Sequence, residues 1–247
     1  MIGKEIIWHV RESMLDDVRL PYLWGDTELL RFANYAEVQA CRRAQLIIDA
    51  STSNDSGTAG TASTMGQQAL CRLPIVAGQA LYTLSNKVLQ VRRLQLLSMN
   101  APLRGPSTYP QVDEFMPDWL GTAGTVPSAG ANGYPDFWIN EPGNTITFIR
   151  APSMNDVASL VISRLPLINF TLETSPEIDG KYHIDICDWI AHLAFMKPDS
   201  ETVNLVLAKQ YEDSFTQKFG PLPDAYSDRM RKTLSQQVRM RTRRFGS

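Results

Sequence analysis

The stretch H-I-D-I-C-D-W-I-A-H, residues 183–192, gathers the groups best suited to chemistry. Asp185, Asp188 and His192 stand at i, i+3 and i+7, so a helix places them on one face. Two carboxylates and an imidazole there could hold a divalent metal or run acid–base catalysis. The competing reading is a solvated or subunit-facing surface. The opposite face carries the apolar stripe Tyr182, Ile186, Trp189 or Ile190, Leu193 and Met196, and no second ligand set of matching spacing occurs elsewhere. The other histidines are His9 and His183. Phosphate-loop, dinucleotide, nucleophile-elbow and H-E-x-x-H signatures do not occur. Cys41, Cys71 and Cys187 are odd in number and widely spaced, which argues against a disulfide framework or zinc ribbon and suits a reducing compartment. Cysteines in apolar patterns read as small hydrophobes rather than nucleophiles. The expectation is a protein without catalytic or metal site and without cofactor.

The end of the chain is the sharper signal. From Arg229 to Ser247 it holds seven basic residues and no acidic one. Formal net charge is −2, so these nineteen residues contribute +7 and leave −9 on residues 1–228. A cationic segment of this kind is poised for an anionic partner. A grip on DNA is one reading, with affinity drawn from phosphate neutralisation and lost with salt. The acidic body opposes it. Met230, Leu234, Val238, Met240 and Phe245 also suit a protein groove better than a phosphate backbone. The Arg pairs Arg42-Arg43 and Arg92-Arg93 read as solvated surface, with an inter-subunit salt bridge as the alternative. Trp24 and Trp119, in the breaks Y-L-W-G-D and P-D-W-L-G, read as rings that lock loops onto the body.

The elements that must position these groups follow from periodicity. Ile6 or Ile7, Val10, Met14 and Val18 predict a first helix. Pro21 and Gly25 break it, and Asp26 is a plausible N-cap for a second helix with the stripe Leu29, Ala33, Ala36, Ala40, Ala44 and Ile47. Residues 51–66 are nearly free of large apolar groups and read as a flexible loop. A β-rich region spans 67–170, with a hairpin turn expected at Glu141-Pro142-Gly143-Asn144 and a short helical piece followed by a Gly/Ala/Ser/Pro loop before it. Helical period returns over 177–220, broken at Pro198 with Asp199 or Ser200 as the next cap, and ended by Gly220, Pro221 and Pro223. Residues 221–247 form the basic arm. Helices, then strands, then helices predict an α+β fold. The simplest arrangement is a helical bundle of the N-terminal (1–50) and C-terminal helices with an inserted β-rich domain and an extended C-terminal arm. Charges interrupt the apolar run at the N-terminus, and no apolar stretch nears the roughly 18 residues that span a bilayer. A soluble protein made in a cytoplasm, with no membrane partner, is expected.

L-W-G-D-T-E-L-L-R-F-A-N-Y-A-E-V-Q-A-C-R-R-A-Q, P-I-V-A-G-Q-A-L-Y-T-L and Y-H-I-D-I-C-D-W-I-A-H-L-A-F-M-K-P-D, taken in order with P-D-W and Y-P-D-F-W, resemble the head-to-tail adaptor proteins of tailed bacteriophages over most of residues 20–220. The resemblance implies a non-enzymatic virion protein of the neck, present in the host cytoplasm during assembly. It implies a homo-oligomeric, typically dodecameric ring beneath the portal protein, offering an attachment surface to a tail tube or nozzle protein and conducting double-stranded DNA. By position, the arm would be the portal-docking element, through Arg229, Arg231, Lys232, Leu234, Val238, Arg239, Met240, Arg241, Arg243, Arg244 and Phe245. An acidic body would suit a channel wall along which DNA slides. A tail-tube or nozzle component, and a DNA-binding packaging accessory protein, are the alternative readings.

Overall fold

The computed structural model describes residues 1–51, 70–117, 119, 135–141, 143–198 and 202–233. The loop expected over 51–66, from its second residue on, and the Gly/Ala/Ser/Pro stretch at 120–134 lie outside the described residues, as do the expected caps Asp199 and Ser200. Within them the fold is α+β, with antiparallel sheets between two helical segments of the chain.

Helix α1 (Gly3–Val10) buries Ile6, Ile7 and Val10. Gly3 is required there: a Cβ would fall 2.3 Å from the Thr171 carbonyl oxygen. The helix runs into a π turn over Arg11–Leu15 and stops at Asp16, whose φ of 51° is left-handed. Val18 is therefore off the helix and exposed, not the last residue of the stripe. Helix α2 (Asp26–Ala44) starts one residue earlier than expected. Gly25 occupies the cap position, and the Asp26 carboxylate accepts from Arg11 instead of capping. Leu29, Ala33, Ala36 and Ala40 are fully buried, and their small size lets α4 (Cys187–Phe195) approach closely. Ala44 is exposed and Ile47 belongs to a strand, because the helix ends at Gln45 with φ 50°.

That strand, β1 (Ile47–Asp49), pairs with β7 (Asp156–Arg164), the centre of the first sheet. Strands β1 and β2 (Arg72–Ile75) lie end to end along one edge of β7, and β4 (Val88–Leu96) covers the other, with register shifts at its start. The second sheet runs β3 (Leu81–Thr83), β6 (Thr145–Ile149), β5 (Phe137–Glu141). Alternation along the strands sends Leu94, Leu160 and Ile162 against Tyr82, Trp138, Ile146 and Phe148, in one sandwich core. The opposite face of the second sheet, Phe137, Ile139 and Ile149, is covered by α3 (Tyr109–Phe115) through Val112 and by Met116 and Trp119. Trp119 Nε1 donates to Asp113 Oδ1 at 2.7 Å, and the ring stacks on Tyr109, locking this loop as its setting predicts. The β5–β6 hairpin is present, with positive φ at Gly143 (104°) and Asn144 (56°). Pro142 lies outside the described residues.

Helices α1, α2, α4 and α5 (Leu205–Phe219) share a separate apolar core. Trp24 is buried in it and donates from Nε1 to the Ala194 carbonyl at 3.1 Å. The C-terminal helical segment is more broken than its periodicity suggests. Residues 180–182 form one 3₁₀ turn, and α4 proper starts at Cys187. Asn204, not an earlier residue, caps α5 by accepting from Leu207 N at 3.1 Å.

The joint between the two cores is polar. Buried Arg164 at the end of β7 pairs with Asp49 of β1 at 2.5 Å and with Glu177. Glu177 Oε2 accepts from Leu167 N, and the main-chain N–H groups of Glu177 and Ile178 donate to Glu37 Oε1 of α2 at 2.6 and 3.2 Å. Burial pushes the Glu37 carboxyl up to about 7, against the lowering effect of those two N–H groups. Because the folded value lies above the ordinary carboxyl range, Glu37 favours folding most below about pH 4.5. That contribution is lost as pH rises through about 7. Glu37→Gln keeps an acceptor and removes the charge. In urea titrations, wild type is expected to lose on the order of 2 to 3 kcal/mol relative to this variant between pH 5 and 8. A pH-independent difference would overturn this assignment.

Candidate functional site

The acid–base face of residues 183–192 is spent inside the fold. Asp188 is buried and accepts from Ser214 Oγ at 2.7 Å, while Lys218 Nζ of α5 lies 2.9 Å from Asp188 and 3.2 Å from Asp185. Burial alone would lower the Lys218 pKa, but the hydrogen bonds to Asp188 and Asp185 raise it. His192 Nδ1 is 2.8 Å from the Ala208 carbonyl, which leaves it donating to α5. The face was expected to meet solvent or a subunit, and it meets α5 instead. Among the described residues no cluster of His, Cys, Asp and Glu could hold a metal ion. Cys41, Cys71 and Cys187 are buried, and burial raises each thiol, Cys71 and Cys187 to about 12. They are not thiolates near neutrality.

The arginine pairs also differ from a plain solvated surface. Arg42 is exposed, but Arg43 is buried. Its guanidinium lies over Trp189 and Phe215, at 4.8 and 4.9 Å, and donates to Thr216 Oγ1 and to the Gly220 carbonyl. Burial lowers its pKa. Position 43 faces α5, so the charge closes the C-terminal end of that helix. Arg92 is half-buried, donating to Ser163 Oγ and Gln45 Oε1, whereas Arg93 is exposed.

The root of the basic arm packs on the body through few polar contacts. Helix α5 ends at Gly220, with φ 84°. Pro221, Leu222 and Pro223 follow, and Asp224 then accepts from Ser227 N at 2.6 Å to start α6 (Ala225–Thr233). The arm is expected to extend over residues 221–247, and its first part lays α6 against the sandwich. The Arg231 carbonyl accepts from Gln90 Nε2 of β4 at 2.8 Å, and Arg231 Nη1 reaches the Arg43 carbonyl at 3.4 Å. Tyr226, Arg229 and Met230 line a groove of about 380 Å³ with Tyr109, Ile139, Asn140 and Glu141. Glu141 Oε1 accepts from Tyr109 Oη and Thr147 Oγ1, and burial followed by this carboxylate pushes the Tyr109 phenol up to about 12. Arg229, Arg231 and Lys232 thus stand on α6, whereas Leu234, Val238, Arg239, Met240, Arg241, Arg243, Arg244 and Phe245 lie outside the described residues. Gln90 and Asn140 escaped the sequence reading. Their only signal was a polar residue at an inward position of an otherwise apolar strand run.

A second surface lies at the end of the helical core. Buried Arg11 pairs with Asp17 and Asp26, donates to the Trp24 carbonyl and covers the Tyr22 ring at 4.0 Å. This network fixes a loop that presents Val18, Leu20 and Leu23 to solvent, Leu20 at 79% exposure. The Ala194 contact of Trp24 and the Asn204 N to Phe195 O bond bring the α4–α5 junction to the same end, where Val203, Leu205 and Val206 are exposed.

A family model described as SU10 adaptor protein matches residues 1–242. No curated protein matches the sequence.

Proposed function

This chain belongs to the SU10 adaptor protein family, a phage head-to-tail adaptor family, and we propose that it closes the portal of the filled head and carries the tail. In this reading copies assemble into a ring, twelve in number, around a channel that passes double-stranded DNA. The basic arm docks on the portal protein, the far face receives a tail-tube or nozzle protein, and no reaction is catalysed. Its place is the virion neck, reached from the host cytoplasm, and the four helices of the shared core act as the bundle that carries the arm. The observation that carries this proposal is the family match over 1–242 in a chain whose acid-free end holds seven basic residues. The apolar end of the helical core supports a protein partner over a nucleic-acid one, since exposed leucines and valines gain nothing from phosphates.

Seven cations also favour a second reading, a DNA grip on the packaging side. The net charge of −9 on residues 1–228 weighs against it, because most of that surface repels a phosphate backbone. The two separate in one experiment. Purified portal rings are mixed with the chain in the presence of nuclease, sedimented and imaged by electron microscopy. The adaptor reading expects a second ring stacked coaxially on the portal. A chain left in the supernatant, or brought down only when nuclease is omitted, refutes it.

A further inference from the structure

We propose that the pocket of about 440 Å³ between the end of α3 and the start of β5 binds a carboxylate flanked by an apolar side chain, carried by a segment of a partner protein. The site is independent of the basic arm and of how that arm docks.

Two guanidiniums line this pocket from different parts of the chain. Arg104 has a pinned backbone. Leu103 N donates to the Leu94 carbonyl at 2.9 Å, and the Arg104 carbonyl accepts from Trp138 N at 3.2 Å. Gly105 follows with φ 149°, so close to β5 that a Cβ would fall 2.6 Å from the Trp138 carbonyl oxygen. On this rigid base the exposed Arg104 side chain lies over the Phe137 ring at 5.6 Å. The ring orients the guanidinium without neutralising it, and among the described residues no carboxylate pairs with it. Arg150 follows the end of β6 with φ 66°, a conformation unfavourable for any residue but glycine and concentrated at binding sites. Its guanidinium stands 3.8 Å from the half-exposed Asp136 carboxylate, beyond hydrogen-bond distance. Two cations against one acid leave the lining positive, in a chain whose residues 1–228 carry −9.

The rest of the lining is apolar. Phe115, 63% exposed at the end of α3, stacks on Phe137 with ring centres 6.0 Å apart, and Met99 and Met116 line the same pocket. An exposed aromatic beside arginines is the composition of a protein-interface anchor. A peptide supplies both complements from adjacent residues: a carboxylate for the guanidinium donors and an apolar side chain to cover Phe115. The acidic body repels the same carboxylate elsewhere, which fixes where it lands. A single nucleic-acid strand could stack its bases on Phe115, but it brings a phosphate with every base toward a chain of −9.

The test is a titration of the full chain, labelled with ¹³C at its methionine methyls, with the peptide acetyl-Gly-Asp-Phe-Gly-amide. Met99 and Met116 are expected to shift and saturate while Met14, packed on the helical core, stays in place. Affinity is expected to fall roughly tenfold when the peptide carries Asn for Asp, and as far in Arg104→Gln or Arg150→Gln with the Asp peptide. An unmoved Met14 resonance in each variant shows that the fold is kept. No shift at about 10 mM peptide, equal affinity for the Asp and Asn peptides, or unchanged binding in both arginine variants would overturn the proposal. Tighter binding of a thymidine tetranucleotide than of the Asp peptide at the same salt would also overturn it, in favour of a nucleic-acid contact.

Discussion

Arg164→Ala is expected to destabilise the fold by about 3 to 5 kcal/mol, read as a lower urea midpoint at unchanged slope. The guanidinium is the shared partner of Asp49 and Glu177, and it also donates to the Leu165 carbonyl at 3.1 Å. Burial alone would raise the Asp49 pKa, but hydrogen bonds from Ser51 and Arg164 hold it below the usual value. Truncation of Arg164 strands that carboxylate in a buried site. Glu177 is a third exposed and can rehydrate, so Asp49 carries most of the loss. The double variant Asp49→Leu, Arg164→Met removes both buried charges and is expected to recover at least half of it. With domain stabilities of only about 5 to 15 kcal/mol, the single variant approaches the unfolding threshold. An Ala variant within about 0.5 kcal/mol of wild type would show that the joint is not held electrostatically.

A chain ending at Thr233 is expected to bind portal rings at least a hundredfold more weakly while unfolding at the same urea midpoint. Among the described residues, the buried side chains of the three apolar cores all precede residue 220. The deletion removes Arg239, Arg241, Arg243, Arg244 and Phe245 and spares Arg229, Arg231 and Lys232. In a ring the loss multiplies, because each docked arm raises the effective concentration of the next. The DNA-grip reading predicts a different signature: the log–log salt slope of duplex binding would fall by about 0.9 for each of the four lost arginines that touched a phosphate. Portal binding retained by the shortened chain would move the docking role to the body.

The sequence announced the long elements and the short helix α3 and missed β1. Helices α2 and α5 were legible because their apolar stripes persist over several turns, and β4, β7 and the β5–β6 hairpin because branched residues run between clear turn signals. Strand β1 was hidden. Its three residues follow α2 after a two-residue break, and Ile47 fits the helical stripe as well as it fits a strand. The left-handed Gln45 is what separates them, and nothing about a glutamine signals that conformation. Asp188 and His192 do lie on α4, but Asp185 sits in the turn before it, and the partner Lys218 lies thirty residues onward from Asp188, beyond any local pattern. Arg43, read as solvated surface, misled for a related reason, and Arg11 gave no signal. Arg43 and Arg11 satisfy carbonyls, carboxylates and rings that only the tertiary fold assembles. The seat of α6 was illegible because Gln90 and Asn140 acquire meaning only once a helix covers them.

The central claim is that the arm touches portal protein, and it can be read at one residue. Phe245→benzoylphenylalanine places a photo-reactive group near the end of the arm of the full chain. After mixing with portal rings under nuclease and irradiation, the account predicts a covalent adduct between this chain and the portal subunit. Adducts confined to DNA in an untreated sample, or to other copies of this chain, would contradict it.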